Sequence, residues 1–162
     1  MPSGSQTAAT REYPDEFAHA HILARLAHQV YLASEACGIG VLRTRPTYML
    51  DEDPPTVRGP DIGFWNDERI HPGGLLATFG GTAPDLAIEM ITEHNPPSAI
   101  HARMLWYLSR GTRLVWIIDP GARLVTIYPV GGAVAVRRTA GELDGGDVLP
   151  ALRIELADIF RA

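Results

Sequence analysis

The sequence predicts a single α/β or α+β domain, in which helices cover a sheet. Two stretches, 15–36 and 97–110, carry apolar residues at helical spacing. Between and after them lie short runs that alternate or are apolar throughout, as strands do: VLRTRPTYML, GPDIGFW, APDLAIEMI and RLVWIIDP. The order of helix, three strands, helix, strand and then further strands suits one layered unit. The 162 residues suffice for one core, and no repeat or linker divides them.

The elements follow in order. Residues 1–14 lack the basic and then apolar order of a signal peptide and read as a flexible leader to a domain over 15–162. In DEFAHAHILARLAHQVYLASEA the expected stripe is Phe17, Ile22, Leu26, Val30 and Ala33, stopped by Cys37-Gly38 with Gly40. Residues 41–50 read as one strand, 51–59 as an acidic, proline-rich loop and GPDIGFW as a second strand. A long connection with two Gly-Gly pairs, 66–81, leads to a third strand in PDLAIEMI. The second helix is expected to take Ser98 as N-cap and Gly111 as its stop. RLVWIIDP reads as a strand buried on both faces, with Asp119 turning the chain into a hairpin made of RLVTIYPV and AVAVRRT. The tail, DVLPALRIELADIF, holds a short strand and a helical turn.

Composition narrows the function. Net charge is −5 and the pI about 5.6, so contact with nucleic acid needs a local basic patch or a bound cation. All 14 basic residues are arginine, which removes any mechanism requiring a lysine amine. Cys37, the lone cysteine, forms no internal disulfide and no metal cluster. No apolar run approaches the roughly 20 residues that span a bilayer. These features favour a cytoplasmic protein without a membrane partner.

The acids carry the chemistry. If 60–65 and 84–91 pair as antiparallel neighbours, Asp61 and Glu89 lie opposite one another, with Cβ atoms about 5 Å apart. Such a pair can hold a hard cation, Mg²⁺ or Mn²⁺, between its carboxylates, and a cation so held can polarise a phosphate and stabilise a leaving oxygen. Asp85 is four residues from Glu89, about 13 Å along an extended strand, and shares one metal with it only if the strand bends. Its alternative role is to cap backbone amides at a strand entry. A glutamate in the middle of an apolar strand is costly to bury without a partner.

GPDIGFW, then APDLAIEMI, then a helix ending YLSRG, then VWIIDPGARLVTIY, in that order, resembles the Uma family of putative restriction endonucleases, within the PD-(D/E)xK nuclease superfamily. The likeness runs from about His19 to Phe160 and includes the closing LPALRIELADIF. It implies a restriction-endonuclease-like core, a central mixed sheet flanked by helices. It also implies a DNA substrate and a Mg²⁺ site using Asp61 and Glu89, with Asp85 in the second Pro-Asp motif.

The chain departs from that pattern in two places. Ile91 stands where the superfamily has lysine, and the family's lysine position, four residues before a tyrosine matching Tyr107, is Arg103. Arginine keeps the charge and clamps phosphate but does not readily give up a proton; the bland alternative for Arg103 is an exposed partner of Glu93. The family pattern also opens with a glutamate-bearing hairpin, where this chain has its polar leader. His19 matches a histidine at the start of the family's first helix, a position that also suits a cap or core partner. His94 and His101, flanking the loop after Glu89, are candidate phosphate contacts, while Trp106, Trp116 and Tyr107 read as core.

Three functions compete: a Mg²⁺-dependent DNA endonuclease weakened by the missing lysine, a non-catalytic module that binds DNA or protein, and a phosphoesterase for a small substrate. Cleavage of both strands would favour a symmetric homodimer.

Overall fold

The computed structural model of the chain describes residues 16–46, 48–50, 56–74, 77 and 81–161. The leader expected over 1–14 lies outside them. The first helix, α1, runs Glu16–Cys37 and buries Ile22, Leu26, Val30 and Ala33. Phe17, expected on that stripe, is 85% exposed. It stands five residues before Ile22, a step that rotates a helix position by about 140° and out of register with the rest.

The strand expected over 41–50 is broken in two, β1 (Val41–Thr44) and β2 (Tyr48–Leu50). Between them Pro46 lacks the amide a ladder needs and restricts the residue before it, and Arg45 turns the chain with φ 46°. The segment read as loop over 51–59 contains a strand, β3 (Thr56–Arg58), which pairs antiparallel with β2 as a separate ribbon. β4 (Ile62–Trp65) is followed by a 3-10 turn at Asp67–Arg69, and β5 spans Leu86–Met90.

The second helix, α2, runs Pro97–Ser109 with Pro96 at the cap and no side-chain cap bond, so Ser98 is not the N-cap. Proline at the first helical position needs no amide partner and is preset in φ. Gly111 ends the helix with φ 91°. Then come β6 (Leu114–Asp119), β7 (Leu124–Pro129) and β8 (Ala135–Arg138). Asp119 makes the expected turn, its Oδ1 accepting the Ala122 amide at 3.0 Å. The tail holds β10 (Arg153–Glu155) and a one-turn helix, α3 (Leu156–Ile159). β10 pairs with β9 (Glu142–Asp144), a strand the sequence reading did not anticipate.

The main sheet has six strands in the order β1-β4-β5-β6-β7-β8. Among the described strands only β5 and β6 pair parallel. A parallel pair needs a crossover, and α2 supplies it. β6 is buried along its whole length. Alternation divides the core into two layers. Ile62, Phe64, Leu86, Ile88, Trp116 and Ile118 pack with Leu26 and Val30 of α1, while Ala87, Ile91, Val115 and Ile117 pack with Ile100, Met104 and Tyr107 of α2. Glu89 belongs by parity to the α2 layer, so the fold drives its carboxylate into an apolar face.

Candidate functional site

β4 and β5 pair antiparallel, with Gly63 opposite Ala87 and Ile62 opposite Ile88. One further step in that register sets Asp61 against Glu89, just where β4 begins. Asp61 lies in the bend before the strand, and its Oδ2 accepts the Met90 amide at 2.7 Å. That amide lies past the last ladder pair, so the aspartate side chain continues the sheet where the backbone has left it.

Glu89 is 1% exposed. Both of its oxygens are engaged. Arg103 donates from Nε to Oε1 at 2.9 Å and from Nη2 to Oε2 at 2.8 Å, the two-pronged geometry in which arginine recognises a carboxylate. Tyr107, one helical turn further on, donates its hydroxyl to Oε1 at 2.7 Å. The remaining terminal nitrogen of Arg103, Nη1, donates to Asn95 Oδ1 at 3.1 Å. Arg103 thus neither stands exposed nor pairs with Glu93.

Burial pushes the Asp61 carboxyl above the ordinary aspartate range, against the Met90 amide and the charges of Arg45, Arg103 and His19, which lower it. Burial likewise pushes Glu89 up, with Arg103 and Tyr107 opposing and the charge of Asp61 adding to the rise. Burial acts to lower the Arg103 pKa, but its bond to Glu89 and the charge there prevail and raise it. The Asp61 charge therefore opposes ionisation of Glu89, while the Arg103 guanidinium favours it.

Beside this pair opens a cleft of about 920 Å³ between the first turn of α1 and the loop after β5. Asp61, Met90, His19, Leu23, Arg45, His94 and Asn95 are on its wall, with Glu16 and Glu93. Glu89 does not reach the wall and lies behind it. His19 Nε2 is buried and has no hydrogen-bond partner among the described residues. Among the described residues, no three His, Cys, Asp or Glu side chains gather as a metal cluster.

Asp85 lies elsewhere. At the other end of β5 it is 2% exposed, and its Oδ2 accepts the Asn66 amide at 2.8 Å. Its Oδ1 meets Arg69 Nε at 2.8 Å, with Arg113 at 4.0 Å. This carboxylate ties the start of β5 to the end of β4 and is remote from the cleft. The structure therefore brings Asp61, Glu89 and Arg103 together and leaves Asp85 apart. Ile91 is buried in the α2 layer. His94 is on the cleft wall, while His101 is exposed on α2. Three participants escaped the sequence reading: the Tyr107 hydroxyl, Asn95 and Arg45. The tyrosine had a signal, its one-turn spacing from Arg103; the other two follow only from where loops fold back.

The two carboxylates fit a hard cation that keeps most of its water. Asp61 Oδ1 accepts no hydrogen bond from a described residue, and Glu89 Oε2 accepts one, leaving a lone pair on each. Mg²⁺ characteristically takes one or two carboxylates and otherwise water. The guanidinium beside Glu89 would weaken the hold.

Residues 10–157 match the profile of a family described as putative restriction endonuclease, Uma2. Among solved structures, the chain is similar to one titled as a putative nuclease belonging to DUF820 from Anabaena variabilis ATCC 29413. The TM-score is 0.78 at 19% identity, over 92% of this chain and 84% of that one. At that identity the likeness shows the fold. No curated protein matches the chain. No helix among the described residues is long and apolar enough to cross a membrane.

Proposed function

The chain belongs to the putative restriction endonuclease family, and from that premise we propose that it is a cytoplasmic, divalent-metal-dependent DNA endonuclease of low activity. One observation carries the reading. The register of β4 and β5 sets Asp61, on the wall of an open cleft, beside Glu89, which lies just behind it. Burial makes both costly to ionise, and a cation shared between them would relieve that cost.

In this reading Asp61 and Glu89 would hold Mg²⁺ or Mn²⁺. When bound, such an ion would supply Lewis acidity to a phosphodiester. The protein's groups do the rest. Asp61 is fixed by the Met90 amide, so its free oxygen keeps one direction. Tyr107 and Arg103 lock the Glu89 carboxylate in one orientation. Arg103 cannot act as a proton carrier, because a guanidinium is not deprotonated in proteins. The chain has no lysine amine to orient or deprotonate water, and low activity follows. Hydrolysis of both strands would take two copies of the chain related by a two-fold axis.

A second reading has its own observation. The Arg103 fork is closed on Glu89, and a chain that had given up metal chemistry would keep that ion pair and use the cleft only to bind DNA or protein. Supercoiled plasmid incubated with Mg²⁺ or Mn²⁺ tests both. Slow nicking that disappears in Asp61→Asn supports the nuclease; binding without nicking in every variant, Arg103→Lys included, supports the module.

A further inference from the structure

Arg103 was expected to clamp phosphate, but Nε, Nη1 and Nη2 are all committed to Glu89 and Asn95. A phosphodiester entering the cleft must find its cation elsewhere. Among the described residues the wall carries one arginine, Arg45, with Glu16 and Glu93 nearby to repel an anion.

Arg45 differs from Arg103 in each respect that matters. Its side chain makes no hydrogen bond or ion pair with any described residue. It is exposed, whereas Arg103 is only partly so. Its backbone amide donates to the Asp61 carbonyl at 2.8 Å, which fixes it beside the metal-facing carboxylate. It also holds φ at 46°, the left-handed region that L residues other than Asn and Asp seldom enter. Glycine would satisfy that turn without cost. An arginine in a left-handed turn, at the rim of a cleft and with no side-chain hydrogen bond or ion pair among the described residues, is placed as a residue that binds a ligand is placed.

We propose that Arg45 is the substrate-binding arginine of this site, its guanidinium seating a backbone phosphate of nucleic acid beside Asp61. The assignment rests on the nuclease reading above. The fork of arginine matches two phosphate oxygens, and a contact to phosphate strengthens binding without selecting sequence.

Fluorescence anisotropy with a labelled DNA duplex, read at several salt concentrations, tests it. Arg45→Ala should weaken binding about tenfold, equally for unrelated sequences, and reduce the salt slope by about one phosphate contact. Arg45→Gly should weaken binding as much while melting at the same or a higher temperature, because it relieves the left-handed turn. Arg137→Ala, on β8 at the opposite edge of the sheet, is the control for bulk charge and should change binding less than twofold. Wild-type binding that Arg45→Ala and Arg45→Gly leave intact, or that Arg137→Ala weakens as much, would overturn the assignment alone. A wild-type protein that binds no duplex would overturn the nuclease reading, and the assignment with it.

Discussion

Arg103 meets Glu89 through two parallel hydrogen bonds of 2.9 and 2.8 Å, inside an apolar layer where Glu89 is 1% exposed. A charge buried so deeply is tolerated because its partner is fixed on the helix that follows the strand. Removing one member leaves the other stranded. Glu89→Gln and Arg103→Met should each destabilise the fold by about 3 kcal/mol. The double variant should recover most of that loss, since two neutral groups leave no charge buried. Urea denaturation of the four proteins measures the coupling; additive losses would show that the pair is energetically idle.

Asp61 should behave in the opposite way. Burial raises its pKa in the folded state, so its stabilising contribution is complete below the unfolded pKa and is lost as pH rises through the folded one. Asp61→Asn keeps an acceptor for the Met90 amide and removes the charge. It should stabilise the protein at neutral pH by on the order of 1 kcal/mol, as removing a desolvated charge does. The gain should vanish at acid pH. Thermal melts from pH 3 to 8 check the sign.

Replacing Arg103 by lysine exchanges a fork for a point charge. One bond to Glu89 and the bond to Asn95 are lost, for a cost of about 1–2 kcal/mol. In return Glu89 gains a free lone pair and the site gains an amine. Arg103→Lys should melt lower than the wild type and nick plasmid faster. A variant that is both less stable and no more active would argue against the nuclease reading of this helix.

Asp85 is predicted to be structural. Asp85→Ala leaves the Asn66 backbone amide without its acceptor and takes the ion partner from Arg69, which keeps its bonds to the Ala83 and Gly111 carbonyls, and should cost about 2–4 kcal/mol. Metal affinity and DNA binding at the cleft should be unchanged when the protein is assayed well below its melting temperature.

Most of the frame was legible because it depends on period and punctuation. The apolar spacing of Ile22, Leu26 and Val30 marks α1, and the unbroken apolar run of β6 marks a central strand. The two Pro-Asp stretches set a register in which 61 meets 89. Long-range side-chain contacts were not legible. Nothing in the spacing of Arg103 says that its fork closes on Glu89 rather than opening to solvent, because that depends on how closely α2 packs against β5. The Pro46 break was visible as a residue, yet only the fold shows that it turns Arg45 toward the cleft. Asp85 and Asp61 share a motif and part company because one lies at each end of the β4–β5 pair.

Calorimetric titration with Mn²⁺ tests the central claim, that Asp61 and Glu89 together hold a divalent cation, most directly. The wild type should bind one ion weakly, in keeping with two carboxylates and a neighbouring guanidinium. Asp61→Asn and Glu89→Gln, each verified as folded, should both abolish the binding. A wild type that takes up no Mn²⁺, or variants that bind it as well as the wild type, would contradict the account.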